Sequence, residues 1–255
     1  MEKSNDTLQR YAYVVVSHLG LVLAWYLFVK LGNVPKFVMP SPEATFAAIT
    51  DGNYNWWGNV LVTGTEIFAG YFLALVIGVG LALVFTWSKT LELFFMPLLV
   101  SLNMIPKVAL GPLIIVWFKY GIFPNSMMAF SICVFPILLT TARGLREIEP
   151  DLLDLVRALK GSRWQLFTKI QLPGALPYIF SGMKVAAILA VAGAIVGEFL
   201  GSDKGLGYLM LQVQVTLDTP AMFMAVILIT LIGVVLYGIV MALERWLVVK
   251  DARLD

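Results

Sequence analysis

The chain has 255 residues, of which 60% are hydrophobic and only 13% charged, with a net charge of +2 and a mean hydropathy of +0.86. Water-soluble domains carry roughly twice that share of charge, so a cytosolic enzyme, a nucleic-acid binder and a disordered chain are excluded. One cysteine, Cys133, and one histidine, His18, leave no intrachain disulfide, no CxxC motif and no multi-histidine metal site, and no cofactor is expected.

What remains is an all-α, polytopic membrane protein. A helix needs about 20 apolar residues to cross a bilayer, and six stretches are read as spans. The first, residues 11–31, follows the polar start MEKSNDTLQR with no cleavage site after it, so it reads as a retained helix. The second, 60–87, carries Glu66 just after Thr63 and Thr65, and Gly70, Gly78 and Gly80, which suit close helix packing. The third, 93–118, is expected to break at Pro97, Pro106 and Pro112. The fourth, 126–141, is short and contains Pro136. The fifth, 178–199, carries Gly193 and Gly197, with Lys184 close enough to its start to snorkel and Glu198 at its end. The sixth, 222–243, is uninterrupted. No long internal repeat of the kind found in secondary transporters is visible.

With an even number of spans both termini share a side. That side holds Lys3, Arg10, Lys89, Arg143, Arg146, Arg157, Lys160, Arg163, Lys169, Arg245, Lys250 and Arg253, and the other only Lys30, Lys36, Lys119 and Lys204. All seven arginines fall on the side of the termini, which the positive-inside rule makes cytoplasmic.

The cytoplasmic loop between spans four and five reads RGLREIEPDLLDLVRALKGSRWQLFTKIQLP, residues 143–173. Leu152, Leu155, Val156 and Leu159 follow an amphipathic helical pattern. Pro150 suits the first helical position, with Asp151 and Asp154 near the positive end of the dipole. Gly161 is expected to stop this helix by taking a positive φ. Ser162 and Gln165 have capping-box spacing for a second short helix, given an apolar face by Trp164, Phe167 and Ile170 and closed by Pro173. Such a pair is either an interfacial anchor with Trp164 at the headgroups or a rigid knob that docks into a soluble partner. The pattern leaves both open.

Charge at mid-bilayer costs roughly 2.5–3.5 kcal/mol on insertion scales, so it is functional or paired, and three ionisable residues are candidates for lining a polar pathway across the membrane. Lys107, in the broken third span, lines the pore or a gate, pairs with a carbonyl freed by Pro106, or snorkels. Glu66 faces the pathway or is a solvated carboxylate near the outer helix end. Glu198 faces the pathway mouth or is interface charge. His18 reads as a helix-contact residue rather than a ligand, and no clustered catalytic constellation exists.

The loop resembles the signature loop of binding-protein-dependent ABC importer permeases, E-A-A, three residues, Gly, nine residues, Ile, one residue, Leu-Pro. Ile170, Leu172 and Pro173 match its end, and Asp154 stands at the acidic position. Leu155 and Val156 replace the alanines, and Lys160 stands where the glycine belongs, with Gly161 beside it. The text DLLDLVRALKGSRWQLFTKIQLPGALPYIFSGMKVA, together with MPSPEATF (39–46), IPKVALGPLIIVWFKYG (105–121) and GEFLGSDKGLGYLM (197–210), resembles the nitrate/taurine/sulfonate/bicarbonate permease family in the same order. The resemblance implies a small nutrient as cargo, either a nitrate-, sulfonate-, taurine- or bicarbonate-type anion or a small organic, and within the family the chain is similar to the branch for thiamine precursors, riboflavin and aromatic acids.

The resemblance implies a type I ABC importer (MetI-like) fold of six transmembrane helices. Residues 1–36 would form a tail and accessory span, 37–247 a five-helix permease core with coupling helices at 150–173, and 248–255 a cytoplasmic tail. It implies a transport subunit rather than an enzyme, in a prokaryotic plasma (inner) membrane. Its partners would be two copies of an ABC ATPase, an extracytoplasmic solute-binding protein, a second permease chain and membrane lipid. Asp154, Leu155, Leu159, Lys160, Gly161, Ser162, Arg163, Trp164, Ile170, Leu172 and Pro173 would form the ATPase-coupling surface. The chain itself has no GxxxxGK[ST] phosphate loop, so an ATPase would be a separate subunit. The other class, an ion-coupled carrier or passive channel, has no need of a cytoplasmic knob.

Overall fold

The computed structural model describes residues 2–50, 52–147 and 150–248. The expected tail beyond Val248, with Lys250 and Arg253, lies outside the described residues. Among the described residues the regular structure is all helical. Five helices are long and apolar enough to cross a membrane, and a sixth candidate is a bent pair.

The chain divides into two compact units. The first comprises Met1–Trp56 and Leu209–Leu228. Its long helix α1 (Glu2–Leu31) includes the apolar stretch Ala12–Leu31, which is almost wholly exposed, as a lipid-facing accessory span would be. His18 is exposed and bonds the Val14 carbonyl of its own helix at 2.7 Å, so it makes no helix–helix contact of the expected kind. The MPSPEATF motif forms a capped turn. The Ser41 hydroxyl accepts from Ala44 N–H at 3.3 Å and Pro42 opens α2 (Pro42–Ala47). Trp25 Nε1 donates to Pro40 O at 2.9 Å, and Thr219 Oγ1 to Phe37 O at 2.7 Å.

The second unit, Trp57–Tyr208 with Ile229–Asp255, holds the core. Its elements are α3 (Trp56–Trp87), α4 (Lys89–Met104), α5 (Lys107–Phe118), α6 (Ile122–Gly144), α7 (Pro150–Ala158), α8 (Arg163–Leu166) and α9 (Leu172–Gly201), with the start of α10 (Leu206–Val215) and the second part of α11 (Thr219–Leu247), whose other residues belong to the first unit. Small residues let α3, α6 and α9 approach closely, since lipid supplies no hydrophobic drive between helices. A Cβ on Gly193 of α9 would stand 2.6 Å from Ala129 Cα, and one on Gly70 of α3 would stand 2.6 Å from Ala129 Cβ. Gly78 and Gly197 are also close-packed, at 3.0 and 2.9 Å, whereas Gly80 faces open space.

Two expectations about proline are corrected. Of the three prolines in the third span, only Pro106 breaks it: α4 and α5 meet there at 89°, while Pro97 and Pro112 lie inside helices. Ile105, just before Pro106, is extended (φ −64°, ψ 125°), as the clash with the proline ring demands. Pro173 does not close a short helix. The helix begun at Arg163 runs on through a π-turn, Phe167–Gln171, into α9, giving one continuous helix to Gly201. In that turn Leu172 N–H donates to Phe167 O, five residues back. The wider turn relieves the clash a proline ring makes with the carbonyl four residues before it.

The fourth span is also longer than its apolar stretch, 23 residues from Ile122 to Gly144. The short apolar helix α10 has no counterpart in the expected spans. Lys184 does not snorkel. Its Nζ lies 3.0 Å from Glu244 Oε1 on α11, with the side chains 18% and 7% exposed.

Candidate functional site

The segment between α6 and α9 folds as a helix, a tight turn and a second helix. The apolar residues Leu152 and Leu155 of α7 and Leu159 just after it remain exposed, Leu159 most of all at 73%. Leu159 N–H bonds Leu155 O at 3.0 Å, and Gly161 N–H bonds Val156 O at 2.9 Å. This six-to-one bond is the Schellman closure of a helix end. The left-handed residue inside it is Lys160, with φ +52°, and Gly161 is not left-handed. The expected role of Gly161 is therefore corrected. The conformation that favours glycine sits one residue earlier, at the position where the loop signature has its glycine. Gly161 is needed for space instead, because a Cβ there would stand 2.7 Å from Val156 Cγ1.

The capping box forms as its spacing predicts. Gln165 N–H donates to Ser162 Oγ at 3.2 Å, and Ser162 N–H to Gln165 Oε1 at 2.8 Å. Arg163 and Trp164 are exposed, Ile170 and Leu172 half-buried, and Pro173 exposed. Phe167 is buried and anchors the start of the second helix. Trp87, at the end of α3, packs edge-on against Trp164 and Phe167 at 6.3 and 5.4 Å between ring centroids. Beside this aromatic cluster lies a cavity of about 500 Å³ walled by Trp87, Arg163, Trp164 and Phe167. Gln171 Nε2 donates to Leu145 O at 3.5 Å, linking the π-turn to the end of α6. At the entry, Arg143 Nε lies 3.0 Å from Glu147 Oε2. That hydrogen bond, with one from Tyr178, holds the Glu147 carboxyl below the usual carboxylate range. The hairpin thus joins α6 to a span helix without a flexible joint on the α9 side. It leaves Leu155, Leu159 and Trp164 exposed.

The three ionisable candidates fall in two places. Lys107 Nζ donates to Leu102 O and Asn103 O at 3.1 and 3.2 Å, so it caps the end of α4. Leu102 O is the carbonyl that Pro106, lacking an N–H, cannot serve. Glu66 and Glu198 come together at the end of the core remote from α7, both buried. Asn125 Nδ2 donates to Glu66 Oε1 at 2.8 Å and Thr63 Oγ1 to Glu198 Oε1 at 2.6 Å. Sequence reasoning named both carboxylates but missed Thr63 and Asn125 as their partners. It also missed the Lys184–Glu244 pair, whose signal was two opposite charges carried within apolar helices.

Apolar spans with a capped amphipathic hairpin between the fourth and fifth define an all-α polytopic membrane protein. Residues 70–249 match the family described as binding-protein-dependent transport system inner membrane component, and the chain belongs to that family. It is 34% identical over 217 residues to a probable ABC transporter permease protein of Haemophilus influenzae, covering 85% of this chain and 89% of that one. It is 34% identical over 254 residues to the riboflavin transport system permease protein RibX of Chloroflexus aurantiacus, covering 96% and 94%. The formylaminopyrimidine transport permease protein ThiX of Halalkalibacterium halodurans is 29% identical over 228 residues, covering 89% and 91%. Among solved structures, an inward-facing form of the MetNI methionine ABC transporter superposes with a TM-score of 0.62 at 21% identity, over 76% of this chain and 99% of that one. The fold is therefore that of a type I ABC importer permease, and the chain is a multi-pass permease subunit of the inner membrane.

Proposed function

We propose that the chain imports a small heteroaromatic nutrient, of the size and kind of a thiamine pyrimidine precursor, riboflavin or an aromatic acid. An extracytoplasmic solute-binding protein delivers the cargo, and a separate ABC ATPase drives the cycle. The capped α7–α8 hairpin carries this reading. It presents Leu155, Leu159 and Trp164 outward and continues without a break into the span α9, which is what a lever worked by a soluble motor requires. Support for the cargo class comes from the relatives named for riboflavin and formylaminopyrimidine. The relatives named for sulfonates and bicarbonate are 28% and 30% identical, below the 34% of the riboflavin relative.

In this reading the surface from Asp154 to Pro173 docks on the ATPase. An ATP sandwich needs two ATPase subunits while one chain offers one hairpin, so two copies of the chain surround one pathway as a two-fold homodimer. The excess of basic residues on one side supports a cytoplasmic position for both termini and the hairpin. Lys107, at the α4–α5 bend, and the Glu66–Glu198 pair are the polar groups that conformational change would expose to cargo.

The experiment is reconstitution of the chain in proteoliposomes with its ATPase and binding protein. Uptake of the ligand that co-purifies with the binding protein is expected to require ATP inside the cytoplasmic face. Uptake driven by an ion gradient without ATP would overturn the reading.

A further inference from the structure

Glu66 on α3 is 0% exposed and Glu198 on α9 is 1% exposed, and their carboxyl groups sit side by side: Thr63, one turn before Glu66 on α3, donates to Glu198, and Asn125, which donates to Glu66, packs against Gly197 next to Glu198. Two carboxylates in contact and out of water repel, and neither is hydrated. The donors around them are unequally shared. Glu198 Oε1 accepts from Thr63 Oγ1–H at 2.6 Å, and the direction of that hydroxyl is fixed because Thr63 Oγ1 itself accepts from Leu206 N–H at 2.8 Å. Glu198 Oε2 accepts from Gly207 N–H and, at 3.2 Å, from Tyr208 N–H. These amides belong to the first turn of α10, whose positive dipole end favours an anion. Gly205, at φ +105°, wraps the turn so closely that a Cβ there would collide with the Glu198 carboxyl group. Glu198 therefore sits among donors only, as a carboxylate does.

Glu66 differs. Its Oε1 accepts from Asn125 Nδ2 at 2.8 Å, but its Oε2 is buried and receives no hydrogen bond from any described group. An acceptor oxygen in that state costs the full penalty of desolvation. A hydrogen on it converts the cost into a charge-assisted bond to Glu198. The turn's other charged side chains, Asp203 and Lys204, are exposed.

We propose that Glu66 and Glu198 form a proton-binding site in which one proton is held on Glu66 and donated to the Glu198 carboxylate. The proton is taken from water and stays between the two oxygens. It links α3, α6 through Asn125, α9 and the start of α10 into one block at the end of the core remote from the hairpin. A metal cation fits the site less well, because the Glu198 lone pairs it would need are occupied by N–H and O–H donors. The inference rests on this packing alone and is independent of cargo and energy source.

The test uses the purified full chain in detergent at neutral pH. Infrared spectroscopy is expected to show the carbonyl band of a neutral, dry carboxylic acid, and Glu66→Gln removes it. The Glu66→Gln amide supplies an N–H towards Glu198 and a carbonyl for Asn125, so the melting temperature stays at the wild-type value. Glu198→Gln takes the negative charge from the α10 amides and lowers the melting temperature. A band that persists in Glu66→Gln overturns the proposal, as does a Glu66→Gln chain destabilised as much as Glu198→Gln. Sodium or calcium ions that stabilise the wild type but not Glu66→Gln would make this a cation site and overturn it too. If Glu198→Gln fails to fold, the infrared comparison of wild type with Glu66→Gln still decides.

Discussion

Arg146 Nη2 lies 2.6 Å from Glu92 Oε1, and Lys89 Nζ lies 3.0 Å from Glu92 Oε2, so the first turn of α4 is tied to the residues that leave α6 for the hairpin. The Glu92 side chain is only 10% exposed while Arg146 is 43% exposed, which makes this more than a surface pair but less than a fully desolvated one. A charged hydrogen bond contributes about 1.5–3 kcal/mol when sheltered and much less when wet. A double-mutant cycle with Glu92→Gln and Arg146→Gln is expected to return a coupling energy of about 1–2 kcal/mol by thermal or denaturant unfolding. Coupling near zero would show that the pair forms without holding α4 to the α6 exit.

Lys184 and Glu244 form the other sheltered ion pair, between α9 and α11. Removing one member of a buried pair strands the other charge at a cost of about 3–5 kcal/mol, whereas replacing both by apolar residues is often neutral. Lys184→Met and Glu244→Leu alone are therefore expected to lower yield and melting temperature sharply. The double variant is expected to recover most of the loss. Additive losses in the double variant would contradict the pairing.

Lys160 holds φ +52° at the end of α7. A side chain in the left-handed region costs roughly 1–2 kcal/mol, which glycine avoids. Lys160→Gly is expected to tighten the hairpin, seen as slower amide hydrogen exchange over residues 150–166, with uptake preserved. Lys160→Val adds a β-branch to a strained φ and is expected to speed that exchange. The opposite order would mean that the lysine side chain, not the backbone, sets the turn.

What could be read from the sequence followed from periodicity and composition. Five of the six apolar spans, the amphipathic face of Leu152, Leu155 and Leu159 in and just after α7, and the Ser162–Gln165 capping box are local patterns, and each is found where its spacing put it, the third span being a bent pair of helices. What could not be read depended on neighbours distant in sequence. Pro97 and Pro112 look the same as Pro106 in the sequence, yet only Pro106 has an extended residue before it and a lysine after it that caps the freed carbonyl. Pro173 looked like a stop because a π-turn has no sequence signature comparable to a glycine. The fit of Gly161 against Val156 appears only once the turn is built, so its need for space was mistaken for a need for positive φ. Glu66 and Glu198 lie 132 positions apart, and their contact is a fact of packing.

Gly161→Val tests the hairpin as a lever. The new Cβ would meet Val156 Cγ1 at 2.7 Å and Val156 O at 3.3 Å, the carbonyl that receives the Gly161 N–H. Neither neighbour is the end of a long flexible chain, so the α7 cap must shift and the angle between α7 and α8 must change. The change lies outside the apolar spans, so membrane abundance and the melting temperature of the span core are expected to match wild type. Association with the ATPase is expected to weaken, and ATP-driven uptake in proteoliposomes to fall to a small fraction of the wild-type rate. Binding-protein docking on the opposite side is expected to be unaffected. Lys160→Gly, made beside it as a control, changes the neighbouring residue without crowding Val156 and is expected to keep uptake. Wild-type uptake and ATPase association in Gly161→Val would mean that the hairpin only anchors the loop to the membrane surface and that the drive enters elsewhere.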